Sequence, residues 1–306
     1  MRGCQINLQA CAALQISLAD VDWSQARYRP AIEQYRQALE FARRSGWRAG
    51  QSVVLGNLGA LTRETGQLTQ AALHLHEALL LAKESGAAAG EATILANLGQ
   101  VQLDLGLLPQ AEDTLGQALA GFDKLGSSIG QTQTLSDLGQ VQHALGNLDA
   151  ALEHLHRSAA MTAETGDNPA DQLHHIAAVH RDAGRPAEAL RYAEQSLQQA
   201  RESGYRRFEA DALNVRGTVH LALGDHARAL ADHGAALAVA EAIEGGQPAA
   251  EARLGLAAAH RHLGQDDQAR GYAREALAGA EAGGFELLAT RIRDLLELTA
   301  EPGRKP

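Results

Sequence analysis

Thirteen histidines stand in this chain of 306 residues, and three sets of them are close enough in sequence to suggest metal chemistry: His74 with His76, His154 with His156, and His174 with His175. Two ligands on one helix share a face when they are three or four residues apart. These pairs are spaced two and one, so the spacing predicts no metal site and no cofactor. His76-Glu77-Ala78-Leu79-Leu80 opens like a zinc-hydrolase helix but lacks the second histidine. Gly126-Ser127-Ser128-Ile129-Gly130 has the look of a phosphate loop, yet no Gly-Lys-Ser/Thr follows and no strand precedes it. No serine or cysteine occupies a nucleophile elbow. With no converging acid, base and nucleophile, the expectation is a protein that is not an enzyme. His180, His220 and His260 recur every forty residues, as packing residues do, and His233 falls where a second helix would face its partner.

Composition narrows the classes further. Thirty-seven acids against 27 bases give a net charge of -10, the wrong sign for neutralising a phosphate backbone, so no direct nucleic-acid partner is expected. Two cysteines, Cys4 and Cys11, exclude a disulfide scaffold and suit a reducing compartment. They lie seven apart, on one face of a helix. No stretch approaches the roughly 18 apolar residues of a membrane span. The run from Cys4 to Leu18 is interrupted by Gln5, Asn7, Gln9 and Gln15, which argues against a secretion signal. The expectation is a cytoplasmic protein. Aromatic residues make up only 4%, prolines number 7 and glycines 31. Such a chain packs Leu, Ala, Val and Ile in closely spaced helices, with glycine supplying the turns.

The elements that must position any functional residue follow from a repeat. Gly66, Gly106, Gly146, Gly184, Gly224 and Gly264 are separated by 40, 40, 38, 40 and 40 residues. An alanine stands five residues after each: Ala71, Ala111, Ala151, Ala189, Ala229 and Ala269. A small residue stands twelve after each: Ala78, Ala118, Ser158, Ser196, Ala236 and Ala276. Seven before each lie Gly59, Gly99, Gly139, Ala177, Gly217 and Ala257, usually preceded by a large apolar residue, with Arg216 the exception. Gly46, Gly86, Gly126, Gly166, Gly204 and Gly284 close the units, and Gly245-Gly246 marks the same boundary in between. Each unit reads as helix, tight turn, helix, looser turn, with helices of about four turns ended by left-handed glycines.

This pattern resembles the tetratricopeptide repeat. The resemblance is carried by Asn57-Leu58-Gly59 to Gly66, Ala71 and Ala78, by Asn97-Leu98-Gly99 to Gly106, Ala111 and Ala118, by four further copies, and by a degenerate first unit with Ala19, Ala31 and Ala38. The period of about 40 exceeds the familiar 34, and the usual early Trp and closing Pro are missing. That is similar to the long-repeat branch of spindle-orientation adaptors, kinesin light chains and bacterial regulators. The resemblance implies an all-α fold, a right-handed superhelix of about seven helix-turn-helix repeats with a C-terminal capping helix. As one solenoid over residues 1–299, its units would fall at about 1–46, 47–86, 87–126, 127–166, 167–204, 205–246 and 247–284. A cap at 285–298 and a disordered tail at 300–306 would complete the chain.

In the family the first helices line a groove that takes a peptide or protein segment. Carried over, the resemblance implies a groove of Asn57, Arg63, Asn97, Gln100, Asp104, Gln133, Asp137, Gln140, His143, Asp171, His174, His175, Arg181, Asp211 and Asn214, with Glu64, Asp182, Glu251, Arg261 and His262 beside them. Of the family's carboxylate clamp for chaperone tails only Asn57 and Asn97 are present, which disfavours a chaperone partner. Seven acids against three arginines in this set predict a basic or neutral protein segment as partner. Reversing Asp137 and Asp171 to Lys is then expected to abolish its capture. The function implied is a peptide-binding scaffold without catalysis, or alternatively an effector-sensing module of a bacterial transcription regulator or signalling ATPase. Neither a membrane partner nor a particular oligomeric state is implied.

Overall fold

The computed structural model describes residues 7–25, 27–243 and 245–300. Cys4 and the tail from 301 on lie outside the described residues. Among those described there are fifteen helices: α1 (Leu8–Ser24), α2 (Tyr28–Arg44), α3 (Arg48–Glu64), α4 (Leu68–Ser85), α5 (Ala88–Asp104), α6 (Leu108–Leu125), α7 (Ser128–Ala144), α8 (Leu148–Thr165), α9 (Ala170–Asp182), α10 (Pro186–Ser203), α11 (Arg206–Ala222), α12 (His226–Ala242), α13 (Gly246–His262), α14 (Asp266–Gly283) and α15 (Glu286–Ala300). The all-α fold of paired helices implied by the repeat is the one observed: seven pairs and a last single helix. None of these helices is long and apolar enough to cross a membrane.

Glycine ends the helices for a conformational reason. All twelve repeat glycines, from Gly46 (φ 69°) to Gly284 (φ 70°), are left-handed, a region where a Cβ is strained. The turn at Gly66 is typical. Gly66 N–H donates to Arg63 O at 2.9 Å and Gln67 N–H to Thr62 O at 2.8 Å, which satisfies carbonyls that the helix end would leave open. Gly245-Gly246 marks the boundary between α12 and α13 differently: Gly245 is extended (φ -78°, ψ 93°) and caps the start of α13.

The chain forms two compact units, the first of residues 1–103 and 109–130, the second of 104–108 and 131–306. Within each unit the small residues of the repeat are the contact surface. Ala71, Ala78, Ala111 and Ala118 in the first unit, and Ala151, Ser158, Ala189, Ser196, Ala229, Ala236, Ala269 and Ala276 in the second, are all completely buried. Volume is matched across each helix pair. A Cβ on Gly59 would lie 2.5 Å from Leu75 Cγ, one on Gly99 2.5 Å from Leu115, and one on Gly139 2.6 Å from Leu155. Each leucine fills the notch that its glycine leaves, and all three are fully buried, worth about 2 kcal/mol apiece in transfer free energy. Where the first-helix position is alanine, at Ala177 and Ala257, the leucine's place is taken by Ala193 and Ala273, also fully buried.

The second unit adds polar variations on this scheme. Ser158 and Ser196 replace an alanine and donate to Thr132 O and Ala170 O, both at 2.7 Å. Arg216, the exception to the apolar rule, forms a two-pronged pair with Asp232 (2.9 and 2.6 Å), and that hydrogen bonding raises the guanidinium's pKa further. His180 and His260 stack on Tyr192 and Tyr272, at centroid distances of 5.2 and 5.4 Å. His220 instead lies 3.7 Å from Asp232. His233 occupies the leucine place opposite Gly217, where a Cβ would come within 2.8 Å of its ring.

Candidate ligand-binding face of the second unit

In the second unit α9, α11, α13 and α15 form one layer, each touching the next, while α10, α12 and α14 lie between successive members. Register along this layer decides what it displays. Six residues before the small position of the first helix stand Asp171 on α9, Asp211 on α11 and Glu251 on α13, an acid every forty residues. These carboxylates sense one another. Burial raises the pKa of Asp211, and Asp171 adds to the rise while Arg207 and His174 oppose it. Burial also raises Glu251, with Asp211 contributing in the same sense against Arg291, His174 and Arg207. The three acids form a ladder with incomplete countercharge; Arg207 Nε is 3.7 Å from Asp211 Oδ2.

Beside the ladder α9 supplies two imidazoles. Its start is set by Asn168, whose Oδ1 accepts from Ala170 N–H at 2.8 Å and whose Nδ2 donates to Gln199 O at 2.8 Å. Pro169 follows, and α9 is four residues shorter than its neighbours, which places Asp171, His174 and His175 in its first turns. Their ligand-competent atoms lie within 4.8 Å of one another. His174 Nδ1 is 3.3 Å from Ala170 O, and its ring lies 6.3 Å from that of Phe208. His175 Nε2 is 3.7 Å from Asp171 Oδ1, and Ser136 Oγ donates to Asp171 Oδ2 at 3.4 Å. Burial, reinforced by His174, His143 and Arg207, pushes the His175 pKa well below 6.5, so this ring is neutral at pH 7.

At the other end of α9, Asp182 is held by His143 Nε2 (2.8 Å) and Arg181 Nε (2.6 Å). Burial alone would raise its pKa, but these hydrogen bonds and charges outweigh it and hold the carboxyl below its usual range. The second unit thus brings together His143, Asp171, His174, His175, Arg181 and Asp211 from the expected set.

Other members have different settings. Asp137 is 1% exposed and accepts from Gln133 Nε2 at 3.3 Å, so a lysine there would strike the core, and the charge reversal belongs instead on the ladder. Asn214 is buried, donating to Pro248 O at 3.0 Å and lying 3.3 Å from His233 Nδ1. Gln140 is half-buried on α7. In the first unit Asn57 donates to Tyr35 Oη (3.3 Å) and Asp20 (3.4 Å), and Arg63 to Gln100 Oε1 at 3.3 Å. Asn97 of that unit and Asp104 of the second are half-buried. Arg207, Phe208, Ser136 and Arg291 were absent from the expected set. The first three sit beside acids or histidines of the same face and could have been found by extending the register; Arg291 lies on α15, outside the repeat frame.

A family model described as tetratricopeptide repeat matches residues 51–124, 130–202, 170–242 and 208–282. The chain belongs to the tetratricopeptide repeat family. A comparison with curated proteins finds no match. Among solved structures, this tetratricopeptide repeat chain is similar to a Rap protein complexed with competence and sporulation factor, with TM-score 0.76 and 13% identity over 92% of this chain and 76% of that one. It is also similar to the Rap conjugation gene regulator of plasmid pLS20 in complex with the Phr* peptide, with TM-score 0.74 and 16% identity over 96% and 77%. The signal transduction ATPase with a tetratricopeptide repeat sensor from Pyrococcus horikoshii matches at TM-score 0.57 and 16% identity, over 89% of this chain and 42% of that one. At these identities the likeness is one of fold.

Proposed function

We propose that this tetratricopeptide repeat chain is a non-catalytic scaffold that holds a basic segment of a partner protein against the polar face of α9, α11 and α13. The observation that carries the reading is the ladder Asp171, Asp211 and Glu251. Asp211 and Glu251, recessed carboxylates whose pKa values burial raises, are costly to the fold, and a lysine or arginine from a ligand would supply the missing countercharge. The neighbouring His143, Arg181 and Asp182 already neutralise one another and leave the ladder as the net charge of the face. In the same family the first helices form the binding side, and of the similar structures one is a complex with competence and sporulation factor and another a complex with the Phr* peptide.

The experiment is selection from a displayed library of random peptides, followed by hydrogen exchange on the complex. Enriched sequences should carry Lys or Arg, and bound peptide should slow exchange in α9, α11 and α13. Selected peptides without basic residues, or protection confined to other helices, would overturn the reading.

A second reading keeps the same face but assigns it to signalling: the peptide acts as an effector, and its binding changes an associated regulator. The fold shared with the Rap regulator of plasmid pLS20 and with the sensor of the signal transduction ATPase favours it. Small-angle scattering separates the two. An effector should change the radius of gyration of the chain on binding, and a passive scaffold should keep it.

A further inference from the structure

The first turns of α9 hold a second arrangement, which shares Asp171 with the ladder and adds two imidazoles that peptide capture does not use. His174 and His175 follow Asp171 by three and four residues. At about 100° per residue the two rings fall on either side of the carboxylate, within an arc of roughly 100°. Adjacent histidines alone do not share a face, but measured from Asp171 both intervals, three and four, are those of ligands on one helical face. We propose that Asp171, His174 and His175 form a binding site for a divalent transition-metal ion of the zinc or cobalt kind.

Geometry and donor chemistry carry this. One donor atom from each residue lies within 4.8 Å of the other two. Asp171 Oδ1 and His175 Nε2 are 3.7 Å apart, close to the roughly 3.4 Å between two ligands of a tetrahedral ion at about 2.0–2.1 Å. His174 donates through Nδ1 to Ala170 O (3.3 Å), which leaves Nε2 as the ligand atom. Ser136 Oγ holds Asp171 Oδ2 at 3.4 Å and leaves Oδ1 to the ion. Two imidazoles and one carboxylate suit zinc, cobalt or nickel better than magnesium or calcium, which prefer oxygen alone. Three ligands from one helix leave at least one coordination position open toward the face described above. Asp211 and Glu251 lower the local potential and favour a cation there. The site does not depend on the groove's holding a peptide.

The test uses the untagged full chain, stripped with a chelator and titrated with cobalt(II) by visible absorption, then with zinc by calorimetry. One ion should bind per chain, with ligand-field bands of a nitrogen-oxygen site. His175→Ala and Asp171→Asn should each weaken binding at least ten-fold, while His260→Ala, whose ring stacks on Tyr272, leaves it unchanged. Far-ultraviolet circular dichroism accompanies each variant. Should His175→Ala lose helicity, Asp171→Asn, nearly equal in shape, decides. Absence of saturable binding of either ion up to about 0.1 mM would overturn the proposal. Affinity unchanged in a fully helical Asp171→Asn or His175→Ala would overturn it equally.

Discussion

At the scale of single residues, the decisive chemistry is volume matched across a helix pair and polarity that must be satisfied once buried. Gly59→Ala places a Cβ 2.5 Å from Leu75 Cγ. Overpacking of this kind costs about 1–3 kcal/mol. Leu75→Ala empties a fully buried site and costs about 2–5 kcal/mol. The double variant recreates the alanine pairing of Ala177 with Ala193, so urea denaturation should find it less destabilised than the sum of the single changes. Strict additivity would contradict the account of the notch. His233 offers a pH test. Burial lowers its pKa to about 4 from 6.5, partly opposed by Asp232, and its Nε2 has no hydrogen-bond partner. A depressed folded pKa means that protons are taken up on unfolding. The stability is complete above about pH 6.5 and falls as pH drops toward 4, by about 2 kcal/mol at pH 5. His233→Leu restores the leucine of the other units, and the difference in urea stability between pH 7.5 and pH 5 should shrink by about that amount. An unchanged difference would refute the assignment.

At the scale of elements, the sequence was most legible where backbone conformation restricts residue type. All twelve repeat glycines are left-handed, as read from their spacing. Gly245-Gly246 does stand at the boundary between α12 and α13, but there the glycine is extended and opens a helix, a use that spacing does not distinguish from a left-handed close. The shortened α9 was visible only as a 38-residue interval between Gly146 and Gly184; that Asn168 and Pro169 set its start is a tertiary fact, since Asn168 reaches Gln199 O on α10. Asn168→Ala should therefore cost about 1 kcal/mol and speed hydrogen exchange in the first turn of α9 while leaving that of α11 unchanged. Equal exchange in both would mean that Pro169 alone fixes the start.

At the scale of the whole molecule, the paired-helix fold was legible because a period of about 40 residues places twelve left-handed glycines and the buried small residues that face each helix pair. The candidate face was legible in part. Asp171, His174, His175, Asp211 and Glu251 follow from register, but Asp137 and Asn214 share that register and point into the protein, because α7 and α11 use those places to bond Gln133, His233 and Pro248. Register gives a helix face, and burial depends on the neighbour's side chains, which no periodicity records. The net acidity of the ladder has a stability consequence. Asp211 and Glu251 have raised folded pKa values, so their charge opposes folding at neutral pH and the opposition fades as pH falls. Asp211→Asn with Glu251→Gln should raise the thermal midpoint at pH 7.5 and lose much of that advantage at pH 5. A lowered midpoint at pH 7.5 would show that the acids are compensated.

The most direct measurement is calorimetric titration of a basic, a neutral and an acidic peptide of equal length against the native chain and the Asp211→Asn/Glu251→Gln variant. Binding should favour the basic peptide, weaken as salt rises and fall at least ten-fold in the variant, whose helicity is retained. Equal affinity for the native chain and the variant, or a preference for the acidic peptide, would contradict the account.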